Sequence, residues 1–405
     1  MKSYSLYGPE FKANPFPTYA EMRQNSPVCY HPGIDGENKI WFVTGAKEVE
    51  TVLRDHKRFV KNWRNTLTPE ELAEQGEPSE LVKLLDQHML NLDSGDHARL
   101  RGLINKAFTP RMVNQMQGRV QSIADSLLDE FAHLGQADLI DTYAFPLPIV
   151  VIMEMLGIPV EDRQQFRIWS HAFIAPTIND EEWQNARQLL TDFTNFLRDV
   201  FDERRRAPQD DLISGLIEAE EAGDKLSEAE LFGMVILLIV AGHETTTNLI
   251  GNGVLALLQY PDQLAKLMQD PTLIDSAIEE MLRYDGPVER ATMRFAAEDI
   301  ELGGQCIQRK DAVSVALSSA NRDDKRFDAP NAFDITRQNN KHLGFGYGVH
   351  YCVGAQLARM EGAIAIKSLF QRLPHLRLDV PVESLTWDTV PIIRGMKEMP
   401  MAWDL

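Results

Sequence analysis

The residues best suited to chemistry lie close together near the C-terminus, where positions 345–354 read FGYGVHYCVG. Gly346 and Gly348 allow the backbone to turn tightly, because neither carries a Cβ atom. Cys352 follows, just before a segment, 355–373, whose apolar spacing is typical of an amphipathic helix. Backbone N–H groups in such a turn, together with the N-terminus of the following helix, stabilise a thiolate. The pattern therefore favours a metal-ligating cysteine over one that only packs.

The neighbourhood of Cys352 limits which metal is expected. A closed structural zinc site takes four nitrogen or sulfur ligands at paired spacings, and no such pair stands near Cys352. A dinucleotide-binding fingerprint would need a third glycine where Tyr351 stands. A single thiolate fits haem iron, whose equatorial ligands come from the porphyrin. The alternative is a buried structural cysteine in a glycine-rich loop.

The order Phe-Gly-x-Gly-x-His-x-Cys-x-Gly constrains six positions at once, and it resembles the haem-binding signature of the cytochrome P450 family. The resemblance implies haem b as the cofactor, with Cys352 as the axial ligand of its iron. It implies further contacts to haem from four other residues of the signature, namely Phe345, Gly346, His350 and Gly354. Three specific motifs occur in the family's order, and the resemblance spans nearly the whole chain.

A long helix is predicted upstream of this loop. The spacing Ser227-x-x-Glu230 is that of a capping box, and the apolar pattern behind it continues to Tyr260. The apolar run 231–242 is shorter than the roughly 20 residues that span a bilayer, and it leads into the polar sequence HETTTN. A buried hydroxyl without a partner costs about 1–3 kcal/mol, and a carboxylate costs more. Polar residues in the middle of a buried helix therefore indicate function.

This polar segment resembles the oxygen-activation motif of the family. The resemblance implies that Ala241 and Thr245, four residues apart and so on one helix face, lie over the iron, and that Gly242 leaves room for dioxygen. It implies that Glu244 and Thr245 deliver protons from water. The alternative is a helical threonine cluster whose hydroxyls bond only to their own backbone.

Two charged pairs share helix faces. His97 and Arg101 are four residues apart, which on spacing alone favours an exposed charged helix start. The resemblance instead implies a propionate site, formed by His97, Arg101, Arg294 and His350.

Glu280 and Arg283 are three residues apart, a spacing that usually means a solvated ion pair. Here the resemblance implies a structural triad that consists of Glu280, Arg283 and Arg337.

The walls of the substrate pocket are predicted from the same resemblance. They comprise Val240, Val288, Ala291, Thr292, Ile392 and Ile393. Most of these side chains are apolar, which indicates a hydrophobic small molecule as substrate. The helical pattern over 166–206 is interrupted at 176–180, which predicts two helices joined by a turn. The resemblance implies that this pair of helices forms the roof of the pocket.

The expected fold class is mainly α with a smaller β region, an α+β arrangement. The resemblance places haem between the long central helix and the helix that follows the cysteine loop, within a single domain over 1–405. A strand at 40–43 should precede a helix at 49–53, and 300–317 should form sheet. Members of the family commonly read Ile-Pro-x-Gly where this chain has Ile307-Gln308-Arg309-Lys310. Because lysine adopts a positive φ less readily than glycine, this turn is expected to be built differently.

The amino-acid composition indicates which kinds of partner are not expected to bind and in which cellular compartment the protein is expected. Lys and Arg number 41 and Asp and Glu 60, so the net charge is 41 − 60 = −19. This balance argues against nucleic acid or an anionic membrane as the main partner. The three cysteines are too few and too scattered for a disulfide framework, which indicates a reducing compartment. The N-terminal residues lack the pattern of a signal peptide or membrane anchor, so a cytoplasmic enzyme of the bacterial type is expected.

Two classes of function follow from the resemblance. The first is a haem-thiolate monooxygenase that inserts one atom of O2 into a hydrophobic substrate, fed by a ferredoxin or flavodoxin and its NAD(P)H reductase. The electron donor is expected to dock on a basic surface that comprises Arg101, Lys106, Arg111, Lys341 and Arg359. The alternative is a peroxide-driven haem-thiolate enzyme or a non-catalytic haem sensor of gases or ligands. The pair Glu244-Thr245 favours the first class, because peroxide brings its own electrons and protons.

Overall fold

The computed structural model describes residues 4–36, 38–177, 179–221 and 226–405, and most of them are helical. The α-helices of these residues are α1 (Pro9–Ala13), α2 (Phe16–Asn25), α3 (Ala46–Arg54), α4 (Pro69–Glu74), α5 (Glu80–Asp86), α6 (Ser94–Ala107), α7 (Pro110–Phe131), α8 (Pro146–Leu156), α9 (Arg163–Ile174), α10 (Asp180–Arg206), α11 (Leu212–Glu221), α12 (Glu228–Gln259), α13 (Pro261–Gln269), α14 (Ile274–Asp285), α15 (Leu317–Ala320) and α16 (Ala355–Arg372). Short 3-10 turns lie at Trp63–Thr66, Ala132–Leu134, Val160–Asp162, Pro271–Leu273, Gly348–His350 and Val382–Ser384, and a π-helical turn spans Ile140–Ala144.

The long helix α12 begins at the predicted capping box. The Ser227 hydroxyl accepts from the Glu230 N–H at 3.2 Å, and the Glu230 carboxylate accepts from the Ser227 N–H at 2.7 Å. These two bonds satisfy N–H groups that a helix start otherwise leaves unpaired. The prediction that a capping box opens this helix is confirmed.

Two hydrophobic clusters meet on α12. Its first half, up to Val240, packs with α8, α9, α10 and α11. Its second half, from Leu249 onward, packs with α7, α14 and α16. The polar segment 241–248 lies between these halves, so the helix holds it at the centre of the molecule. Among the described residues α12 is also the one helix long and apolar enough to cross a membrane, and 72% of its apolar window is buried inside the protein. It is thus a core helix.

The β region is small and forms three sheets. Its strands are β1 (Val28–Pro32), β2 (Lys39–Val43), β3 (Phe59–Val60), β4 (Gln136–Asp138), β5 (Arg294–Ala296), β6 (Ile300–Leu302), β7 (Gln305–Ile307), β8 (Ala312–Val315), β9 (Arg377–Leu378) and β10 (Pro400–Ala402). The largest sheet has the order β1-β2-β8-β5-β3, the second has the order β4-β10-β9, and β6 pairs with β7. The predicted class, mainly α with a smaller β region, is confirmed.

The register of the largest sheet brings together Lys61 and Arg294, two cations that are distant in sequence. β3 pairs antiparallel with β5, so that Val60 lies opposite Phe295. β5 in turn pairs with β8, with Arg294 opposite Val313. Lys61 continues the chain directly after β3 and therefore enters the region of Arg294.

The predicted pair of helices over 166–206 corresponds to α9 and α10. Ile178, in the predicted turn between them, lies outside the described residues. Asn179 caps α10 by accepting from the Glu182 N–H at 2.9 Å. The segment 61–92 contains α4, α5 and a 3-10 turn.

The turn at Lys310 corrects one expectation. Lys310 adopts φ = +77°, the left-handed conformation that glycine would take there, so the turn is not built differently. Its N–H donates to the Ala296 carbonyl at 2.8 Å, and its ammonium pairs with Glu71. These contacts hold the lysine in a conformation that costs an L-residue roughly 1–2 kcal/mol.

Replacing Lys310 tests this strain. Lys310→Gly and Lys310→Ala both remove the ion pair with Glu71, so the comparison isolates the backbone. Because glycine adopts positive φ freely, we expect the glycine variant to be more stable than the alanine variant by about 1 kcal/mol. Urea unfolding measures the difference. An alanine variant at least as stable as the glycine variant would contradict the strained turn.

Candidate active site

The polar segment of α12 presents Ala241 and Thr245 on one face. The Thr245 hydroxyl donates to the Ala241 carbonyl at 2.8 Å, and its lone pairs remain able to accept. Ala241 is exposed although the preceding residues of the helix are buried. A Cβ at Gly242 would lie 3.1 Å from the side chain of Ile152. The missing side chain at Gly242 thus lets α8 pack closely on α12, a role that the sequence did not predict.

Glu244 joins this segment to a cleft of about 730 Å³. The cleft lies among α9, α10 and α12, and Glu244, His171 and Asp388 are among its lining residues. Asp388 lies 3.7 Å from the imidazole of His171 and raises the pKa of that histidine. On the other side, the Glu244 carboxylate lies 3.6 Å from Nε2 of His243. The carboxylate of Glu244 therefore borders this cleft, and Thr245 is the next residue of the helix.

The cysteine loop is shaped by its glycines. Gly346 and Gly348 have φ of +73° and +77°, and a Cβ at Gly348 would lie 2.8 Å from the Leu53 carbonyl oxygen. The Cys352 N–H donates to the Phe345 carbonyl at 3.0 Å, which closes the loop. A side chain at Gly348 would therefore clash with backbone and displace the loop.

The thiol of Cys352 is surrounded by protein, yet the residue keeps accessible surface. Burial raises the pKa of Cys352, while the Gly354 N–H and the charges of Arg101 and Arg359 act to lower it. Burial wins, so the thiol by itself stays protonated at neutral pH. A coordinating metal cation would deprotonate it, as metal-bound thiols are deprotonated outright.

A cluster of cations lies near this loop. The rings of His97 and His350 lie 4.3 Å apart between centroids. Nη1 of Arg294 is buried without a hydrogen-bond partner. Arg101 is half-buried, one helical turn after His97. The four residues that were predicted to bind propionates therefore include an orphaned donor and two imidazoles in contact.

The electrostatics of this cluster show that it lacks anions. Burial lowers the pKa of Arg294 to about 10, and Asp93 is the one group that opposes this shift. Burial, together with the charges of His97, Lys61 and Arg294, lowers the pKa of His350 to about 2. Two carboxylates placed here would accept from the orphaned donor and offset the repulsion. The arrangement fits the two propionates of haem.

Lys61 belongs to this region and was missed by sequence reasoning. It is 6% exposed, and its ammonium donates to the Met293 carbonyl at 2.7 Å and to the Thr292 hydroxyl. Burial lowers the pKa of Lys61 well below its usual value, and the charge of Arg294 lowers it further. No local pattern signals this lysine, because its position depends on the pairing of β3 with β5.

The structure brings Glu280, Arg283 and Arg337 together. Arg283 donates from two nitrogens to the two oxygens of Glu280, each at 2.7 Å, and Nε of Arg337 lies 3.1 Å from Oε2 of the same carboxylate. Glu280 and Arg283 are fully buried. Asn340 and the Asp334 N–H also donate to Glu280. The carboxylate thus joins α14 to the chain just before the cysteine loop.

The predicted pocket walls come from three parts of the chain. Val288 and Ile393 form an isolated antiparallel β-bridge, and the Glu289 N–H donates to the Ile392 carbonyl at 2.9 Å. Ile392 and Val288 are partly exposed, as are Ala291 and Thr292, whereas Ile393 and Val240 are buried. Thr292 turns its hydroxyl to Lys61, so this side chain faces the cation cluster.

Known proteins resemble this chain in sequence over nearly its whole length. A sequence model of the family described as "Cytochrome P450" matches residues 149–387, more than half of the chain. A cytochrome P450 of Bacillus subtilis is 45% identical over 97% of this chain and 95% of its own length. The cytochrome P450 monooxygenase PikC of Streptomyces venezuelae is 44% identical over 98% of this chain and 92% of its own length.

A solved structure gives the same result for the fold. A myxobacterial cytochrome P450 in complex with myristic acid superimposes with a TM-score of 0.93, at 42% identity, covering 99% of each chain. The family uses haem, and the buried cations and the thiol described above fit that cofactor. From its sequence relatives, its fold and this site, the chain belongs to the cytochrome P450 family and is a monooxygenase, an oxidoreductase.

Proposed function

We propose that this enzyme binds haem b through Cys352 and oxidises C–H bonds of a hydrophobic small molecule with O2. The observation that carries the proposal is the anion-deficient cluster around the Arg294 nitrogen that has no hydrogen-bond partner, together with the exposed Cys352, two residues after His350 of that cluster. In a myxobacterial relative the bound molecule is myristic acid, which supports a hydrophobic substrate. The haem supplies dioxygen activation and the oxidising power.

The residues of the chain would hold the haem and deliver protons to the site of oxygen activation. His97, Arg101, Arg294 and His350 would bind the two propionates, which offsets the cost of burying the charges of the two arginines. Glu244 takes protons from water in the cleft that it lines and passes them toward Thr245. Because the Thr245 hydroxyl already donates to the Ala241 carbonyl, its oxygen would act as a hydrogen-bond acceptor where the haem would supply dioxygen activation.

The axial role of Cys352 has a spectroscopic test. Reduced protein under carbon monoxide should show the red-shifted absorption band of a thiolate ligand, and Cys352→His should lose it. Cys306, which is exposed, provides the matched control, and Cys306→Ser should keep the band. A Cys352→His variant with the spectrum of the wild type would overturn the assignment.

A peroxide-driven enzyme or a haem sensor is the alternative. The cleft at Glu244 favours the dioxygen-dependent enzyme, since peroxide requires no proton supply of this kind. Turnover with NAD(P)H and a reductase system, compared with turnover by hydrogen peroxide alone, separates the two. Product only with peroxide would favour the alternative.

The electron donor is proposed to be a ferredoxin or flavodoxin with its NAD(P)H reductase. Of the five basic residues expected at the docking surface, Lys106, Arg111 and Lys341 are exposed. Arg359 instead gives two hydrogen bonds to Glu279, so its charge is largely neutralised. The three exposed cations are thus the proposed contacts for an acidic partner. A cytoplasmic location stays a prediction.

If the electron donor docks by charge attraction, the rate at which it reduces the enzyme should depend on salt concentration. The rate of reduction by an acidic ferredoxin should fall by roughly tenfold from low to high ionic strength, because screening weakens long-range attraction. Lys341→Gln should lower the rate at low salt, whereas Lys39→Gln, an exposed lysine on β2, should not. Stopped-flow reduction measures both. Rates that do not change with salt would argue against this surface.

A further inference from the structure

A buried lysine near the start of the described chain connects three distant segments. Lys12, on the short helix α1, is 1% exposed. Its ammonium donates to Oε2 of Glu289 at 2.6 Å, to the Val390 carbonyl at 3.1 Å and to the Ile393 carbonyl. An ammonium has three donors, and all three are used here.

Two of these acceptors belong to a turn. The Val390 and Ile393 carbonyls lie on the stretch 390–393, and Ile393 is buried. A buried carbonyl needs a partner, and Lys12 provides one for each. The neighbouring Arg394 in turn donates to the carbonyl of Lys12. The shape of this turn therefore depends on α1.

The third acceptor, Glu289, belongs to a different segment, 288–292. Glu289 also accepts from the Tyr19 hydroxyl at 2.7 Å and from Nε of Arg290 at 3.1 Å. Its backbone N–H donates to the Ile392 carbonyl. Burial raises the pKa of Glu289, but the charges of Arg290 and Lys12 outweigh it and hold that pKa below the usual value. Glu289 is thus an anion, and Lys12 joins its segment, 288–292, to the turn 390–393.

We propose that Lys12 is a positioning residue of the substrate site: it supports from behind the pocket wall that the segment 288–292 and the turn 390–393 form together through their backbone hydrogen bonds. The inference rests on the proposed function, in which Val288 and Ile392 are walls of the pocket. Lys12 itself lies behind those walls, because its contacts are all to their backbone and to Glu289. It acts on large substrates through the position of this wall and should leave the haem contacts unchanged.

Two azoles of different size test this inference on the haem-loaded protein. Imidazole and 4-phenylimidazole both bind haem iron through a ring nitrogen, but only the larger one reaches the walls. In Lys12→Met we expect the dissociation constant of 4-phenylimidazole to rise by about tenfold, an effect in the range of a lost pocket contact. The constant for imidazole should stay the same. Spectral titration measures both, and Lys47→Met, at an exposed lysine of α3, is the control.

A second variant, Lys12→Arg, keeps the inference testable if Lys12→Met does not fold. Lys12→Arg keeps the charge while changing the geometry, and we expect a smaller loss of 4-phenylimidazole affinity in it. If Lys12→Met binds no haem, the inference is tested by comparing the dissociation constants of both azoles in Lys12→Arg with those in Lys47→Met. Unchanged affinities for both azoles would overturn the inference, and so would an equal loss for both, because that indicates general destabilisation. If the wild-type protein itself gave no spectral response to imidazole, the proposed function would fail instead.

Discussion

Thr245→Ala should separate oxygen activation from haem binding. We expect the variant to keep the carbon monoxide spectrum and its substrate affinity, since neither needs proton delivery. Product formed per NAD(P)H consumed should fall, and hydrogen peroxide should be released instead. Losing a proton-relay group typically costs about 10²–10⁴-fold in the assisted step, which is large enough to dominate the partition.

The control for this prediction keeps the hydroxyl. Thr245→Ser retains an oxygen that can bond to the Ala241 carbonyl as Oγ1 does at 2.8 Å, so coupling should largely return. Because a substrate hydroxyl could replace the lost group, two unrelated substrates should be compared. Fully coupled turnover of both by Thr245→Ala would remove Thr245 from the mechanism and would favour the peroxide-driven or sensor alternative.

Arg283→Ala should yield little folded, haem-loaded protein. The substitution leaves Glu280 buried with the partial charge compensation of Arg337, whose Nε lies 3.1 Å from it. Removing one partner from a buried ionic network costs about 3–5 kcal/mol, a large share of the stability of a domain. Arg283 also donates to the carbonyls of Asn321, Pro330 and Ala332. All three would lose this donor, and Ala332 would keep the one from Arg337.

An exposed ion pair provides the comparison. Arg54 pairs with Glu50 on α3, and its side chain is 64% exposed. Arg54→Ala should therefore change the free energy of unfolding by no more than about 1 kcal/mol. Urea unfolding and the ratio of haem to protein measure both variants. Normal haem content in Arg283→Ala would show that the buried triad is not essential to the fold.

Local patterns predicted the elements that carry the chemistry. The capping box at Ser227 depends on residues three apart, and the turn before Cys352 depends on glycines two apart. Such short-range rules can be seen in one sequence. The family resemblance then supplied the partners of those elements, such as Arg294 for His350, which spacing alone could not give.

Long-range packing set what the sequence did not show. Lys61 becomes a member of the cation cluster only through the pairing of β3 with β5. Lys310, at positive φ, also pairs with Glu71, which is distant in sequence. Gly242 contacts Ile152 of another helix. In each case the deciding partner lies far along the chain, where neither periodicity nor composition carries information about it.

The contacts of Lys12 also bear on the order of assembly during synthesis. Its partner at Val390 lies 378 residues later in the chain. At about 5–20 residues per second, a ribosome needs roughly 20–75 seconds between the two. Contacts so distant in sequence form late, because a large loop must close first. The cysteine loop at 345–354 emerges earlier than the turn at 390–393, so the position of this pocket wall is fixed after the haem ligand has been made.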